Sequence, residues 1–156
     1  MRFLVTGAAG FIGSHLVEAL VAAGHEAVAV DAFTDYYDPA LKEENVRGLD
    51  VVRLDLAADY LDLAGVDGVF HLAGQPGVRA SWGADFELYV RRNVLATQRV
   101  FEQAAGAGVR VVFASSSSVY GDAEGLVPGR DERLDEVRAD EPGRAGDEVP
   151  HGSTIP

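Results

Sequence analysis

The sequence predicts an α/β fold built on a doubly wound parallel sheet of about five strands. Short β-branched runs recur through the first two thirds of the chain, helical stretches with apolar residues at spacings of three and four alternate with them, and a glycine cluster separates the first run from the first helix. Strands this apolar are expected to be buried on both faces, as in a parallel sheet. Joining parallel neighbours requires right-handed crossovers, so the alternation reads as repeated βαβ units.

The elements follow in order. Phe3-Leu4-Val5 forms the first strand, and Phe11 to Ala23 the first helix, with Ile12, Leu16, Leu20 and Ala23 as its candidate core face and Gly24 as its C-cap. Ala27-Val28-Ala29-Val30, Val51-Val52-Arg53-Leu54 and Gly68-Val69-Phe70-His71-Leu72 are the next three strands. A long helix is expected from about Ala84 to Ala107, with Leu88, Val94, Leu95 and Val100 among its core residues, closed by Gly106-Ala107-Gly108. Val109 to Phe113 is the fifth strand. No internal repeat is present.

The composition divides the chain in two. Residues 1–125 carry all the predicted elements and form a single domain, whereas 126–156 hold hardly a consecutive apolar pair and cannot build a core. That tail carries eight acids against four arginines. It is expected to be a solvated, disordered extension, and its lysine-free mixture of Gly, Arg, Asp, Glu, Pro and Ala resembles an out-of-frame reading of GC-rich DNA. The expectation is therefore an incomplete sheet in a frameshifted or truncated chain. Ending at the fifth strand would leave Val109 to Ser115 as an exposed apolar edge open to self-association.

Charge excludes several partners. A net charge of -12 and a pI near 4.6 repel nucleic acid and anionic membranes at long range, so a phosphate ligand must be held by local geometry. The mean hydropathy of +0.03 holds no spanning segment, and the apolar run Phe3-Leu4-Val5 is too short for a signal sequence. With no cysteine, a cytoplasmic location is expected. The histidines His15, His25, His71 and His151 lack metal-ligand spacing, so no metal site is expected.

Thr6-Gly7-Ala8-Ala9-Gly10-Phe11-Ile12-Gly13 stands between the first strand and the first helix, where a dinucleotide pyrophosphate meets backbone N–H groups and a helix dipole. Gly7 permits the tight turn, Gly10 lets backbone approach the pyrophosphate, and Gly13 lets helix and strand pack closely. Phe11 and Ile12 belong to the same contact. Asp31, at the end of the second strand, lies at about the 20-residue offset where a carboxylate takes the ribose hydroxyls. Ala32 and Phe33 beside it supply no arginine for a 2′-phosphate, so NAD is expected rather than NADP. An S-adenosylmethionine methyltransferase also uses a glycine loop and an acid after its second strand, and at this point that reading stays open.

Downstream residues carry a family resemblance. With the glycine loop, Asp55-Leu56, His71-Leu72-Ala73-Gly74, Asn93 and Phe113-Ala-Ser-Ser-Ser-Ser-Val-Tyr-Gly121 resemble the extended short-chain dehydrogenase/reductases, the NAD-dependent nucleotide-sugar epimerases and dehydratases with a Rossmann-type sheet. The resemblance covers Met1 to about Gly125. Asp31 to Lys42 and Gln75 to Ser81 look most like UDP-glucuronate 4-epimerases, with dTDP-glucose 4,6-dehydratases close behind. Gly13, the His71 to Gly74 segment and the serine cluster disfavour a methyltransferase.

The resemblance implies roles. Asp55 and Leu56 would lie by the adenine, Lys42 would meet the adenosine, and Leu72, Ala73 and Gly74 would line the cofactor passage. Asn93 falls among the cofactor residues, although in mid-helix it reads equally as tying down neighbouring backbone. Ser116 matches the catalytic hydroxyl that hydrogen-bonds the reacting sugar oxygen, and Ser118 would touch the sugar beside it. Arg79 would hold a sugar carboxylate or phosphate, or is a solvated loop arginine. His71 reads as a satisfied structural histidine.

The family reaction oxidises a UDP-sugar at C4 and later returns the hydride, using a tyrosine base whose pKa is lowered by a lysine four residues on. That pair is absent. Four residues after Tyr36, Tyr37, Tyr60, Tyr89 and Tyr120 stand Ala40, Leu41, Ala64, Asn93 and Glu124, and the only lysine is Lys42. The chain is expected to be inactive alone, whether as the cofactor portion of an enzyme, a non-catalytic NAD module or half of a split enzyme.

Overall fold

Leu4 and Val5 lie at the centre of a sheet whose pairings are all parallel. The structure is a computed structural model, and it describes residues 1–77, 81–116 and 119. Five strands, β1 (Arg2–Thr6), β2 (Glu26–Asp31), β3 (Val51–Arg53), β4 (Gly68–His71) and β5 (Arg110–Phe113), run in the order β3-β2-β1-β4-β5. The chain winds outward from β1 to β3, then crosses back over β1 to lay down β4. The order in which strands are added therefore reverses between β1 and β4, the position where ligands of open α/β sheets bind beyond the strands' carboxyl ends.

Alternation along β1 feeds two cores. Leu4 packs with Val30, Leu56, Val69, Ala96 and Val100 on one face, while Val5 packs with Val17, Leu20 and Ala29 on the other. The first face is covered by α4 (Ala96–Ala107) and the second by α1 (Phe11–Ala22). Gly24, at φ +79°, follows the end of α1, and Gly108, at φ +68°, is the C-cap of α4.

The buried face of α1 is Gly13, Ser14, Val17 and Leu20. Of the expected set only Leu20 is buried outright; Ile12 is 70% exposed and Ala23 is exposed. The repeat of three and four leaves the phase of a helix open, and the contact of Gly13 with the preceding loop sets it. The long helix also differs from its expectation. It begins as a 3₁₀ turn (Gly83–Asp85), continues as α3 (Phe86–Tyr89), widens into a π-helical turn (Val90–Leu95) and only then becomes α4. The wider turn rotates Val94 and Leu95 outward, so both are exposed, while Val100 is fully buried.

A short helix between β2 and β3, α2 (Pro39–Asn45), lies in a segment with no apolar periodicity and was not anticipated. Its start is chemical: Pro39 opens the first turn, and the Asp38 side chain accepts from the Ala40 N–H at 2.9 Å. β5 departs from the expectation of burial on both faces, with Val112 55% and Phe113 42% exposed. Among the described residues its one neighbouring strand is β4, and part of its apolar surface is open.

Residues Met1–Ser115 form one compact unit. Beyond it, Ser116 and Val119 are described, and the Val119 N–H donates to the Ser116 carbonyl at 3.2 Å. Arg79, Ser118 and the acidic tail lie outside the described residues. Among the described residues no helix is long and apolar enough to cross a membrane, and no group of three or more His, Asp or Glu could hold a metal ion.

Candidate functional site

The glycine loop is pressed against the end of β4. Gly7 adopts φ +70°, and a Cβ on it would stand 2.8 Å from the Ala73 nitrogen; a Cβ on Gly13 would overlap the Gly7 carbonyl oxygen and Ala8. Both positions therefore exclude side chains for reasons of space, and Gly7 also for its backbone conformation. The Gly10 N–H bonds the Gly7 carbonyl at 3.0 Å, and Gly10 caps α1 without a side-chain hydrogen bond. The first-turn amides of α1 keep their donors for an anion.

At the end of β2, Asp31 is buried and heavily engaged. One carboxylate oxygen accepts from the Ala9 N–H at 3.1 Å and the other from the Phe33 N–H at 2.7 Å. Lys42 on α2 brings its ammonium within 3.5 Å of the second oxygen, donates to the Thr34 hydroxyl at 3.2 Å and lies 5.2 Å from the centre of the Tyr37 ring. Burial, reinforced by the negative charge of Asp31, pushes the Tyr37 phenol up. The turn places Phe33 at φ +49°, an uncommon conformation for a residue with a side chain. The Arg53 guanidinium lies 3.8 Å over the Phe33 ring and pairs with Glu43.

At the other end, Asp55 pairs with Arg91 at 2.9 Å. Burial pushes the Asp55 carboxyl up, but hydrogen bonds from Arg91 and the Ala57 N–H, with the charges of Arg91 and Arg92, hold it below its ordinary value. The loop after β4 is clamped by the π turn: the Asn93 carboxamide accepts from the Gln75 N–H at 2.6 Å and donates to the Gln75 carbonyl at 3.0 Å. Arg92 donates to the Gln75 side-chain oxygen at 2.6 Å, and the Tyr89 hydroxyl donates to the Pro76 carbonyl at 2.9 Å.

Between these walls lies a cavity of about 850 Å³. Gly7, Gly10, Phe11, Ile12, Gly13, Asp31, Lys42, Asp55, Leu56, Leu72, Ala73 and Gly74, named from sequence for a cofactor, all line it. Asn93 does not. Both ends of its carboxamide are spent on Gln75, so direct ligand contact gives way to the backbone-tying role. His71 is fully buried, hydrogen-bonded to the Thr6 hydroxyl at 2.7 Å and the Thr97 hydroxyl at 2.9 Å, and stacked on Phe113. Burial lowers its pKa to about 4, and its setting is structural.

Sequence reasoning missed Gln75, Arg91 and Arg92, which also line the cavity. The signal was there: Arg-Arg-Asn is a polar triplet inside a helix otherwise read for its apolar face. The pairing of Lys42 with Asp31, and Arg53 beside Phe33, were also unforeseen, because each joins residues from different elements.

A parallel sheet with a glycine loop at its switch point and a buried acid ending the second strand defines a Rossmann-type nucleotide-binding fold. The sequence profile of the NAD dependent epimerase/dehydratase family matches residues 3–142, and the chain belongs to that family. It is 42% identical to an uncharacterized UDP-glucose epimerase, YtcB, of Bacillus subtilis, over 81% of this chain and 43% of that protein. It is 37% identical to UDP-glucuronate 4-epimerase 1 of Arabidopsis thaliana, over 95% of this chain and 38% of that one. The crystal structure of UDP-glucuronic acid 4-epimerase from Bacillus cereus, in complex with UDP-glucuronic acid and NAD, superposes with a TM-score of 0.72 at 38% identity, covering 82% of this chain and 44% of the other. The chain spans less than half the length of these relatives.

Proposed function

We propose that this chain is the NAD-binding portion of a nucleotide-sugar epimerase or dehydratase whose reaction is C4 oxidation and re-reduction of a UDP-sugar such as UDP-glucuronate. The observation that carries the reading is the convergence of the glycine loop and Asp31 on one cavity at the switch point. NAD fits the residues present. Gly7 and Gly13 let the loop pack tightly against Ala73 and α1 at the cavity wall, the first-turn amides of α1 suit a pyrophosphate, and Asp31 suits the ribose hydroxyls. The two described cations beside Phe33, Arg53 and Lys42, are paired with Glu43 and Asp31, which favours NAD over NADP.

When bound, NAD would accept and return the hydride. Residues 1–125 form the cofactor domain in this proposal, 126–156 an appended tail, and the site is cytoplasmic. Ser116 would hydrogen-bond the sugar oxygen, with Ser118 and Arg79 beside the sugar. With no Tyr-x-x-x-Lys pair in the sequence, the chain alone binds NAD without turning over UDP-glucuronate. The open face of β5 would drive self-association, which light scattering checks; a clean monomer overturns that point.

The test is calorimetric titration with NAD, NADP and S-adenosylmethionine, followed by a turnover assay with UDP-glucuronate. Binding selective for NAD, with no turnover until a second chain carrying Tyr-x-x-x-Lys is added, is the expected result. Product from this chain alone overturns the inactive reading. Lack of turnover with that second chain favours a non-catalytic NAD module, and binding of S-adenosylmethionine in place of NAD overturns the family chemistry.

A further inference from the structure

We infer that Arg92 is a further ligand-binding residue, whose guanidinium meets the pyrophosphate of the bound dinucleotide across the cavity from the glycine loop. The inference rests on the proposed NAD-binding reading. Among the described residues three cations line the cavity, and two are already paired: Lys42 stands 3.5 Å from Asp31, and Arg91 stands 2.9 Å from Asp55. Arg92 is different. Among the described residues it makes no direct ion pair; its charge reaches Asp55 only through space, and its hydrogen bond goes to a neutral acceptor, the Gln75 side-chain oxygen at 2.6 Å. In a chain of net charge -12, a cation held at the cavity wall by an amide keeps its charge for an anion that arrives.

Placement supports the assignment. The Ala73 N–H bonds the Thr6 hydroxyl at 3.3 Å, and Ala73 backbone touches Gly7 so closely that no Cβ fits between them. Gln75 is two residues further on, at most about 7 Å of chain from that contact. The guanidinium bound to Gln75 lines the same cavity as Gly7, Gly10, Phe11 and Ile12, the loop and first turn whose amides suit a pyrophosphate. The arm is also built to stay there: Gln75 is 7% exposed, and Asn93, the next residue on the π turn, holds its N–H and its carbonyl. Arg92 and Asn93 are consecutive on the π turn, and both reach Gln75 of the facing loop.

The test compares wild type, Arg92→Met and Arg92→Lys by calorimetry with NAD, ADP-ribose, adenosine and UDP-glucuronate, at low and high salt. Arg92→Met is expected to weaken NAD and ADP-ribose by about tenfold or more, to leave adenosine unchanged, and to flatten the salt dependence of ADP-ribose binding, with Arg92→Lys recovering most of the loss. Equal losses for adenosine and ADP-ribose would mean that Arg92 acts only by holding Gln75, and would overturn the inference. So would an unchanged ADP-ribose affinity, or a loss confined to UDP-glucuronate, which would assign the cation to a substrate anion. Should Arg92→Met fail to fold, Arg92→Gln carries the same comparison. Wild type that binds no NAD defeats the proposed function instead, which separates the two failures.

Discussion

The Lys42 ammonium stands 3.5 Å from the Asp31 carboxylate, and both side chains are more than nine-tenths buried. The pair joins α2 to the end of β2, so it ties a helix with no apolar face of its own to the sheet. Asp31 keeps two backbone N–H donors besides, from Ala9 and Phe33, whereas the remaining hydrogen bond of Lys42 goes to the Thr34 hydroxyl. The carboxylate is thus over-determined, and the lysine depends on it.

Replacing Lys42 by methionine is expected to cost about 2 kcal/mol of folding stability. That is less than the 3–5 kcal/mol typical of a broken buried pair, because the backbone donors still compensate the acid. Asp31→Asn should cost more than Lys42→Met, since it strands the lysine. Urea unfolding of both variants and of the double variant measures the coupling, and additive losses would show that the pair contributes nothing as a pair.

Gly13→Ala is expected to destabilise by about 3 kcal/mol, because the new Cβ runs into the backbone of Gly7 and Ala8, which cannot move aside as a flexible side chain would. The same change at Gly24, where a Cβ would meet nothing within 4 Å, should cost only the strain of its positive φ, about 1 kcal/mol. Thermal melts of the two variants give the ranking. Equal losses would remove the close contact of loop and helix as the reason for glycine at position 13.

His71 makes stability depend on pH in a defined window. Burial lowers its pKa to about 4, below the ordinary 6.5, so the unfolded chain binds the extra proton first. The stability from keeping this imidazole neutral is complete above about pH 6.5 and is lost as pH falls toward 4, a drop of order 3 kcal/mol. His71→Gln removes the titrating group, and its stability should fall less steeply across that window. A variant as pH-sensitive as wild type would show that other groups carry the acid response.

Much of the fold was legible because its signals are local. A β-branched run such as Ala27 to Val30 needs no knowledge of its neighbours to read as a buried strand, and Gly7, Gly10 and Gly13 encode close backbone approach by lacking side chains. The strands, their parallel sense and the residues at their carboxyl ends all follow from such patterns. The segment Pro39–Asn45 was not legible, because its helix is started by a cap and held by one buried pair rather than by an apolar stripe.

The sequence by itself determined the parallel α/β sheet, the glycine loop and the acid of the second strand, since each rests on backbone conformation or side-chain periodicity within a few residues. Tertiary structure alone decided which face of α1 is buried, where the long helix widens into a π turn, and which partners Lys42, Arg91, Arg92 and Asn93 take. Those choices join residues 11 to 36 positions apart, whose meeting is set by sheet order and by the register of packed elements, and no local pattern in the chain records that geometry.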